Sequence, residues 1–483
     1  MTEPAIVETH VSVVFFAGDR AYKLLKPIRT PFLDQSSAAA RGRAVTREVE
    51  LNRRLAPDVY LGTGEFHEGD AVSDHVIVMR RLPAERKLST LVTTVDWQDH
   101  VRGVARAVAG FHAGLDPLDD DTARRLSSRD AVSGRWEANF EEMAPYVGTV
   151  FYDEDLSAAT YLSRRYLQHR EAVFDRRITD GMIRDGHGDL LADDIFCLDD
   201  GPRIIDCLAF DDDLRRTDVL DDIAFLAMDL ERLAGPNVSQ QLMSWYQEFT
   251  DEHHPGSLAH HYVAYRAQVR AKVSCIRASQ GDPQAAEDAR DHLQLCLRHL
   301  RRSRIQILAV GGGPGTGKST LATSVGETLG WAVLDSDELR KDLTGHGHDE
   351  HQVAPPGEGI YRPEITGRVY DELLDRTHRL CELGSSVVLD ASWSDEAQRH
   401  RLRALARDVG AELTEVECDV PAGVARERVA RRLASAYDTS DATPEVVDHF
   451  AATRSDWPEA VAVDTTKPVP VCVEDVLGQV RAG

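Results

Sequence analysis

Apolar residues run in short blocks or alternate at the start of the chain, then fall at three- and four-residue spacing further on. Residues 11–17 (Val-Ser-Val-Val-Phe-Phe-Ala) and 21–25 (Ala-Tyr-Lys-Leu-Leu) flank Gly18-Asp19-Arg20, which predicts a β-hairpin with a Gly-Asp turn. Residues 36–55 open on a Ser-Ser cap and place Val45, Val49 and Leu51 to Leu55 at roughly helical spacing before Pro57, so a helix is expected there. Two strand-like runs follow, around 59–61 and 75–79. From about residue 95 to 180 the pattern is helical, with Val101, Val104, Val108 and Phe111 on one face. Strands followed by helices imply a small sheet lobe leading into a larger helical lobe.

Short β-like pieces interrupt the helical run at 195–198 and 203–205, on either side of an Asp199-Asp200-Gly201 turn, and helices resume from about 218 to 300. Beyond the basic stretch 298–304 the period changes. Apolar strands at 305–312, 331–335, 386–390 and 412–418, with a weaker one near 468–473, alternate with helical stretches, the pattern of a parallel α/β sheet. The expected organisation is therefore α+β over residues 1–300 and α/β over residues 301–483, without a Gly/Ser-rich or Pro-rich linker between them.

At 483 residues the chain is comfortable for two domains. It is 42% hydrophobic and 28% charged, and no apolar stretch approaches the ~18 residues a spanning helix needs, which predicts no membrane association. The start, Met1-Thr2-Glu3-Pro4, lacks the basic-then-apolar order of a secretory signal, so the expected location is the cytoplasm. Seven scattered cysteines without a Cys-x-x-Cys pair read as reduced thiols, mostly in the core. A net charge of −25 would repel a polyanion, so nucleic acid is a disfavoured partner.

The sharpest chemical signal is Gly312-Gly313-Pro314-Gly315-Thr316-Gly317-Lys318-Ser319, directly after a strand and before a helix that begins near Thr320. Glycines let backbone N–H groups turn toward a phosphate chain, Lys318 can reach the β- and γ-phosphates of ATP, and Ser319 can hold Mg²⁺. The next strand ends in Asp335-Ser336-Asp337-Glu338-Leu339-Arg340, carboxylates at the edge where open α/β sheets bind ligands. A strand ending in Asp-x-Asp with an Arg three residues on resembles the P-loop small-molecule and polynucleotide kinases. The resemblance implies that Asp337 accepts the proton of the attacking hydroxyl and that Arg340 contacts substrate or phosphate. A helix-capping Asp beside a solvated Arg is the plainer reading of the same residues. Val387-Val388-Leu389-Asp390 has the form of a Walker B strand, with Asp390 supporting Mg²⁺. Arg426, Arg428, Arg431 and Arg432 precede Ser440-Asp441-Ala442, where related kinases carry a phosphate-clamping lid; Arg428 and Arg432 are the favoured pair, not separable from sequence. His346-Gly347-His348-Asp349-Glu350-His351 puts no clean ligand set on one helix face, so a metal site is not expected there.

In the first half, 187–195 read His-Gly-Asp-Leu-Leu-Ala-Asp-Asp-Ile and 205–206 read Ile-Asp. This resembles the aminoglycoside- and choline-kinase superfamily, whose catalytic loop runs His-Gly-Asp-x4-Asn. The resemblance implies Asp189 as catalytic base, Asp194 at the Asn position as a metal ligand, and Asp206 as the main Mg²⁺ ligand. Lys23 matches the lysine that pairs with the α/β-phosphates and Glu48 its ion-pair partner, with Lys26 and Glu50 as close alternatives. Asp218 and Asp222 are expected to steady the catalytic segment by capping a helix. Including Tyr265-Arg266-Ala267-Gln268-Val269-Arg270-Ala271-Lys272 in the junction region, nearly the whole chain resembles bacterial two-domain aminoglycoside phosphotransferase/ATP-binding proteins. The reading implied is an ATP- and Mg²⁺-dependent phosphotransferase with two nucleotide sites acting on a small-molecule hydroxyl. Its rivals are a regulatory ATPase pair with a degenerate first domain and a nucleic-acid end kinase. Acceptor and oligomeric state are not legible.

Overall fold

A computed structural model describes residues 6–8, 11–30, 33–68, 71–347, 358–433 and 444–482. The chain divides into two compact units, Met1–Ser163 with Phe174–His254 and Leu258–Arg302, and Arg164–Val173 with Pro255–Ser257 and Ser303–Gly483.

The first unit begins with a five-stranded antiparallel sheet in the order Ile6–Glu8, Ser12–Ala17, Arg20–Leu25, Ala71–Arg80, Tyr60–Glu68. Ala17 pairs with Arg20, so Gly18 and Asp19 alone make the turn, and Gly18 takes the left-handed φ of 61° that such a turn requires. The helix Ala38–Asn52 starts where the Ser37 hydroxyl accepts from the Ala40 N–H. Val45 and Val49 pack from that helix against Ala21, Leu25, Ile77 and Met79 of the sheet. Helices then dominate, from Trp97–Ala113 to Ala285–Arg302, with Val101, Val104 and Val108 fully buried and Phe111 half-buried. Between them a hairpin, Ile195–Leu198 with Gly201–Ile204, follows the His187–Asp194 segment. A small sheet thus leads into a larger helical region, the order expected from the sequence. The leading strand Ile6–Glu8 escapes sequence reading because its three residues are exposed and show no alternation.

In the second unit five parallel strands lie in the order Ala332–Asp335, Val387–Asp390, Gln306–Gly311, Glu412–Asp419, Val461–Asp464. Side chains alternate across the central strand: Ile307 and Ala309 enter one core with Leu373, Leu389 and Leu402, while Leu308 and Val310 enter another with Leu321, Val416 and Val476. Helices thus cover both faces, as a parallel sheet demands. The strand expected near 468–473 is not one. Those residues open the helix Val469–Ala482, in which Cys472, Val473, Val476, Leu477 and Val480 form one buried face. Two prolines, Pro468 and Pro470, sit where the missing N–H groups are harmless, and the run of β-branched residues misleads. The fifth strand is the shorter Val461–Asp464.

All seven cysteines are buried and free. Among the described residues no helix is long and apolar enough to cross a membrane.

Candidate active sites

In the first unit three of the expected side chains come together. Lys23 Nζ lies 2.8 Å from Glu48 Oε1 and 2.5 Å from Asp206 Oδ1. The sequence alternatives sit elsewhere: Lys26 pairs with exposed Glu8, and Glu50 faces Arg47 at 3.7 Å. Burial works against the Lys23 charge, but Asp206 and Glu48 hold the ammonium well above the ordinary lysine range, and Lys23 in turn holds Asp206 below the usual carboxylate range. Asp206 adopts a φ of 63°, a conformation that costs a non-glycine residue of order 1–3 kcal/mol and occurs most often at functional sites. Its backbone is fixed from both sides. The Asp206 N–H donates to the Tyr60 hydroxyl (3.2 Å), and the Cys207 N–H donates to Asn52 Oδ1 (2.9 Å) on the helix that bears Glu48.

The loop that carries Asp189 is held from beneath by one buried carboxylate. Asp222 accepts from the His187 N–H (2.7 Å), the Gly188 N–H (2.8 Å) and His112 Nε2 (3.0 Å), contacts that hold it far below the usual range despite burial. Asp222 therefore acts from inside the helix Val219–Ala234 and is not a cap as expected from sequence; the cap is Asp218, which accepts from the Leu220 N–H at 2.9 Å. A Cβ on Gly186 would stand 2.4 Å from Asp222 Oδ2, so only glycine lets the loop approach. A second helix carboxylate, Asp229, accepts from the Ala192 N–H at 2.9 Å. No motif signalled Asp229, although a carboxylate inside an otherwise apolar run (Ile223 to Leu230) was a visible oddity.

Burial pushes the Asp189 carboxyl up to about 6, with Arg270 and Arg266 pulling down and Asp206 pushing further up. Asp194 is driven well above the ordinary range by burial and by the charges of Asp206, Asp189 and Asp193. Among the described residues no group of three His, Cys, Asp or Glu side chains converges as a cation-binding cage. Asp194 and Asp206 nevertheless fit Mg²⁺, which is commonly held by one or two carboxylates with substrate phosphates completing the shell.

In the second unit the central strand ends in the glycine-rich loop, and Gly317 opens the helix Lys318–Leu329. Gly315 has a φ of 78°, and a Cβ there would lie 2.4 Å from the Ala425 carbonyl oxygen, so the loop closes only with glycine. Thr316 Oγ1 donates to the Gly313 carbonyl at 2.8 Å, and the Gly312 N–H donates to the Ser392 carbonyl at 3.3 Å. Gly313, Pro314 and Gly315 thus form the curl, with Thr316 and Gly317 leading into Lys318, Ser319 and exposed Thr320. Lys318 Nζ stands 3.5 Å from Asp390 Oδ1 and 3.4 Å from Ser319 Oγ. Burial opposes its charge, but Asp390, Asp337 and Asp335 keep it above the lysine range. Asp390 is buried, and its Oδ1 makes no hydrogen bond among the described residues. A buried carboxylate oxygen paired with a lysine that also meets the Ser319 hydroxyl fits a hydrated divalent cation.

Asp335 and Asp390 are register partners on adjacent strands. Asp335 is the capping residue: its Oδ1 accepts from the N–H groups of Asp337 (2.6 Å) and Glu338 (3.3 Å), while burial and the charges of Asp390 and Asp337 push it up to about 7. That leaves the Asp337 carboxylate, 30% exposed and 3.9 Å from Arg340 Nε, uncommitted to the helix end. Arg340 is buried; its Nη1 donates to the Ile360 carbonyl and Thr366 Oγ1, both at 3.2 Å, and its guanidinium lies over the Tyr361 ring.

Arg428 is drawn onto the loop, Nη1 reaching the Gly315 carbonyl at 3.4 Å and Nη2 the Thr465 carbonyl at 2.8 Å. Arg426 instead pairs with Asp448 at the surface. The Arg432 side chain, Ser440-Asp441-Ala442 and residues 348–351 lie outside the described residues. Arg428 lines a cavity of about 340 Å³ with Gly317, Thr320, Thr465, Lys467 and Pro468. Sequence reasoning missed the last three; the available signal was their place just after a strand's C-terminal end. It also missed Trp393, fully buried at a φ of 50° two residues past Ala391, with its N–H donating to the Tyr370 hydroxyl at 3.1 Å.

The AAA_33 family, described as an AAA domain, matches residues 307–456. Among solved structures the chain is similar to a gluconokinase from Sinorhizobium meliloti 1021 (20% identity, 36% of this chain and 90% of that one, TM-score 0.27). It is also similar to a choline/ethanolamine kinase family protein from Mesorhizobium loti (14%, 62% and 92%, TM-score 0.38) and to choline kinase from Cryptosporidium parvum Iowa II (11%, 62% and 89%, TM-score 0.42). The "Uncharacterized protein Rv2004c" of Mycobacterium tuberculosis (strain ATCC 25618 / H37Rv) and the "Uncharacterized protein Mb2027c" of Mycobacterium bovis are each 38% identical over 471 residues, covering 95% of this chain and 92% of theirs. With that identity along nearly the whole of both chains, and with the AAA_33 match falling in its second unit, the protein belongs to the family of these mycobacterial proteins.

Proposed function

We propose that the chain is an ATP-dependent phosphotransferase with two nucleotide sites, each passing the γ-phosphoryl group to a hydroxyl of a small molecule. One observation carries this reading: in each unit a lysine is held between carboxylates at the site, Lys23 by Glu48 and Asp206, Lys318 by Asp390, with a further carboxylate close by. In the first unit Lys23 binds the α/β-phosphates, Asp206 and Asp194 hold Mg²⁺, and Asp189 takes the acceptor's proton. In the second, the loop 312–319 wraps the phosphates, Ser319 and Asp390 hold Mg²⁺, and Asp337 is the base beside Arg340. Arg428 and the cavity next to it hold the base end of the nucleotide, with Arg432 as a lid contact. Mg²⁺, when bound, would offset the negative charge of the phosphates during transfer.

The regulatory reading rests on Asp194 standing where an Asn is expected. Its carboxyl is held toward the protonated form by burial, and a neutral carboxyl is close to an amide in shape and charge, which favours a working site. A net charge of −25 argues against a nucleic-acid acceptor. The test is ADP release across sugars, polyols, aminoglycosides and nucleosides with the chain carrying either Lys318→Ala or Asp189→Ala. Acceptor-dependent release that survives each single change and vanishes in the double change is expected; release abolished by Lys318→Ala alone would leave the first unit a scaffold.

A further inference from the structure

In the second unit the strand Val461–Asp464 pairs with Glu412–Asp419 as the last strand of the sheet order, so Asp464 lies beside Asp419 and the chain leaves the sheet at its ligand-binding end. The turn that follows is fixed locally: Asp464 Oδ1 accepts from the Thr466 N–H (3.0 Å) and the Thr466 hydroxyl (2.6 Å). Thr465, between them, is anchored by its own N–H, which donates to the Asp419 carbonyl at 3.2 Å. Its side chain turns to the phosphate loop. The Thr465 hydroxyl donates to the Thr316 carbonyl, and Arg428, which donates from Nη2 to the Thr465 carbonyl (2.8 Å), reaches the Gly315 carbonyl with Nη1 (3.4 Å). A Cβ on Gly317 would stand 3.5 Å from both Arg428 Nη1 and Thr465 Oγ1, so these two side chains pack directly against the loop.

These contacts separate the donors of the loop from its acceptors. Carbonyls along the curl are taken: Gly313 accepts from the Thr316 hydroxyl and N–H, Gly315 from Arg428, Thr316 from Thr465, and Gly317 from the Leu321 N–H. The N–H groups of Gly315, Gly317, Lys318 and Ser319, in contrast, find no acceptor among the described residues. A phosphate is attracted by N–H dipoles and repelled by carbonyl oxygens, so a loop that cradles phosphates must keep the two apart. Residues 315–317 have little stiffness of their own for this. Gly315 and Gly317 both stand at a left-handed φ, 78° and 88°, and glycine passes readily between conformations. The two peptide units between them carry the Gly315 and Thr316 carbonyls, the ones that Arg428 and Thr465 hold.

We propose that Thr465 is a positioning residue of the second unit: with its bond to the Thr316 carbonyl, beside that of Arg428 to Gly315, it keeps these two peptide oxygens turned away from bound phosphates. This rests on the reading of the second unit as a nucleotide site. Thr465 also lines the cavity beside Arg428, yet the role assigned to it concerns the phosphate chain and not the base. A side chain 149 positions beyond Thr316, outside the glycine-rich motif, thereby sets how tightly that motif holds its ligand.

The test uses the full chain carrying Lys23→Met, which silences the first unit, and titrates it with Mg·ATP and with Mg·tripolyphosphate, a phosphate chain without ribose or base. Thr465→Val keeps the shape of the side chain and removes its donor. It should weaken the binding of both probes by a similar factor, roughly tenfold or more, and Thr465→Ser, which restores the hydroxyl, should recover most of the loss. Thermal unfolding of each variant guards against misfolding, and Thr465→Ala gives the same reading should the valine variant not fold. A loss confined to ATP would make Thr465 a contact to the base and overturn the proposal, as would unchanged binding of both probes in Thr465→Val, or a serine variant as weak as the valine one. Failure of the second unit to bind either probe with Thr465 intact would count against the nucleotide reading itself, and the proposal with it.

Discussion

Burial pushes Asp189 up to about 6, and that value sets a pH dependence which an ordinary aspartate would not give. A base must be ionised to accept the hydroxyl proton, so transfer by the first unit should rise with pH. With a midpoint near 6, about 9% of the carboxyl is ionised at pH 5 and about 91% at pH 7, a roughly tenfold gain in kcat/KM that levels off above about pH 8. An aspartate at about 3.9 would already be more than about 90% ionised at pH 5 and would give a nearly flat profile. The same shift bears on stability with the opposite sense. Because the folded carboxyl holds its proton more tightly than the unfolded one, its contribution is fully present below about pH 4 and is lost as pH rises through about 6. The assay is the initial rate of ADP release against acceptor concentration, from about pH 4.5 to 8.5, in the Lys318→Ala chain. Arg270 pulls the Asp189 midpoint down, so Arg270→Gln should move it up, while Asp229→Asn, which removes a charge that pushes it up, should move it down. A flat profile from pH 5 upward, or activity that survives Asp189→Asn, would refute the assignment of Asp189 as base.

Asp222→Ala leaves the His187 and Gly188 N–H groups buried without an acceptor, at about 1–3 kcal/mol each, and should abolish transfer by the first unit while the second still binds ATP by calorimetric titration. In the second unit, with Asp189→Ala in the same chain, Asp337→Asn should lower transfer by roughly a hundredfold with ATP affinity little changed; equal loss of binding would assign Asp337 to metal or structure. Gly315→Ala drives a methyl group against the Ala425 carbonyl from a left-handed backbone, and should remove nucleotide binding at the second unit alone, as read by fluorescent-nucleotide titration.

How much of this was legible in the sequence varied with the physics that each feature depends on. The phosphate loop is written in fixed spacing because every glycine in it answers a local backbone requirement, so 312–319 could be read without a fold. The Lys23–Glu48 pair depends on how a strand and a helix pack, and alternation along the strand could not separate Lys23 from Lys26. The structure separates them because Lys26 pairs with Glu8 of the edge strand Ile6–Glu8. Asp222 was noticed for the wrong reason: capping is a local rule, whereas its hydrogen bonds to residues 35 and 34 positions earlier are tertiary. The mistaken strand near 468–473 came from weighing β-branched residues above the two prolines that begin the helix. Thr465, Lys467 and Pro468 belong to no spaced motif, and they meet Arg428 only because the strand Val461–Asp464 is placed at the end of the sheet order. The inclusion of 164–173 and 255–257 in the second unit is likewise beyond any reading in chain order.

The central claim is that one chain holds two independent nucleotide sites, and isothermal titration of the full-length protein with a non-hydrolysable ATP analogue and Mg²⁺ tests it most directly. Two sites per chain are expected, one remaining in Lys318→Ala, the other remaining in Lys23→Met, and none when both lysines are changed. A single site in the unaltered chain, lost entirely with Lys318→Ala, would contradict it.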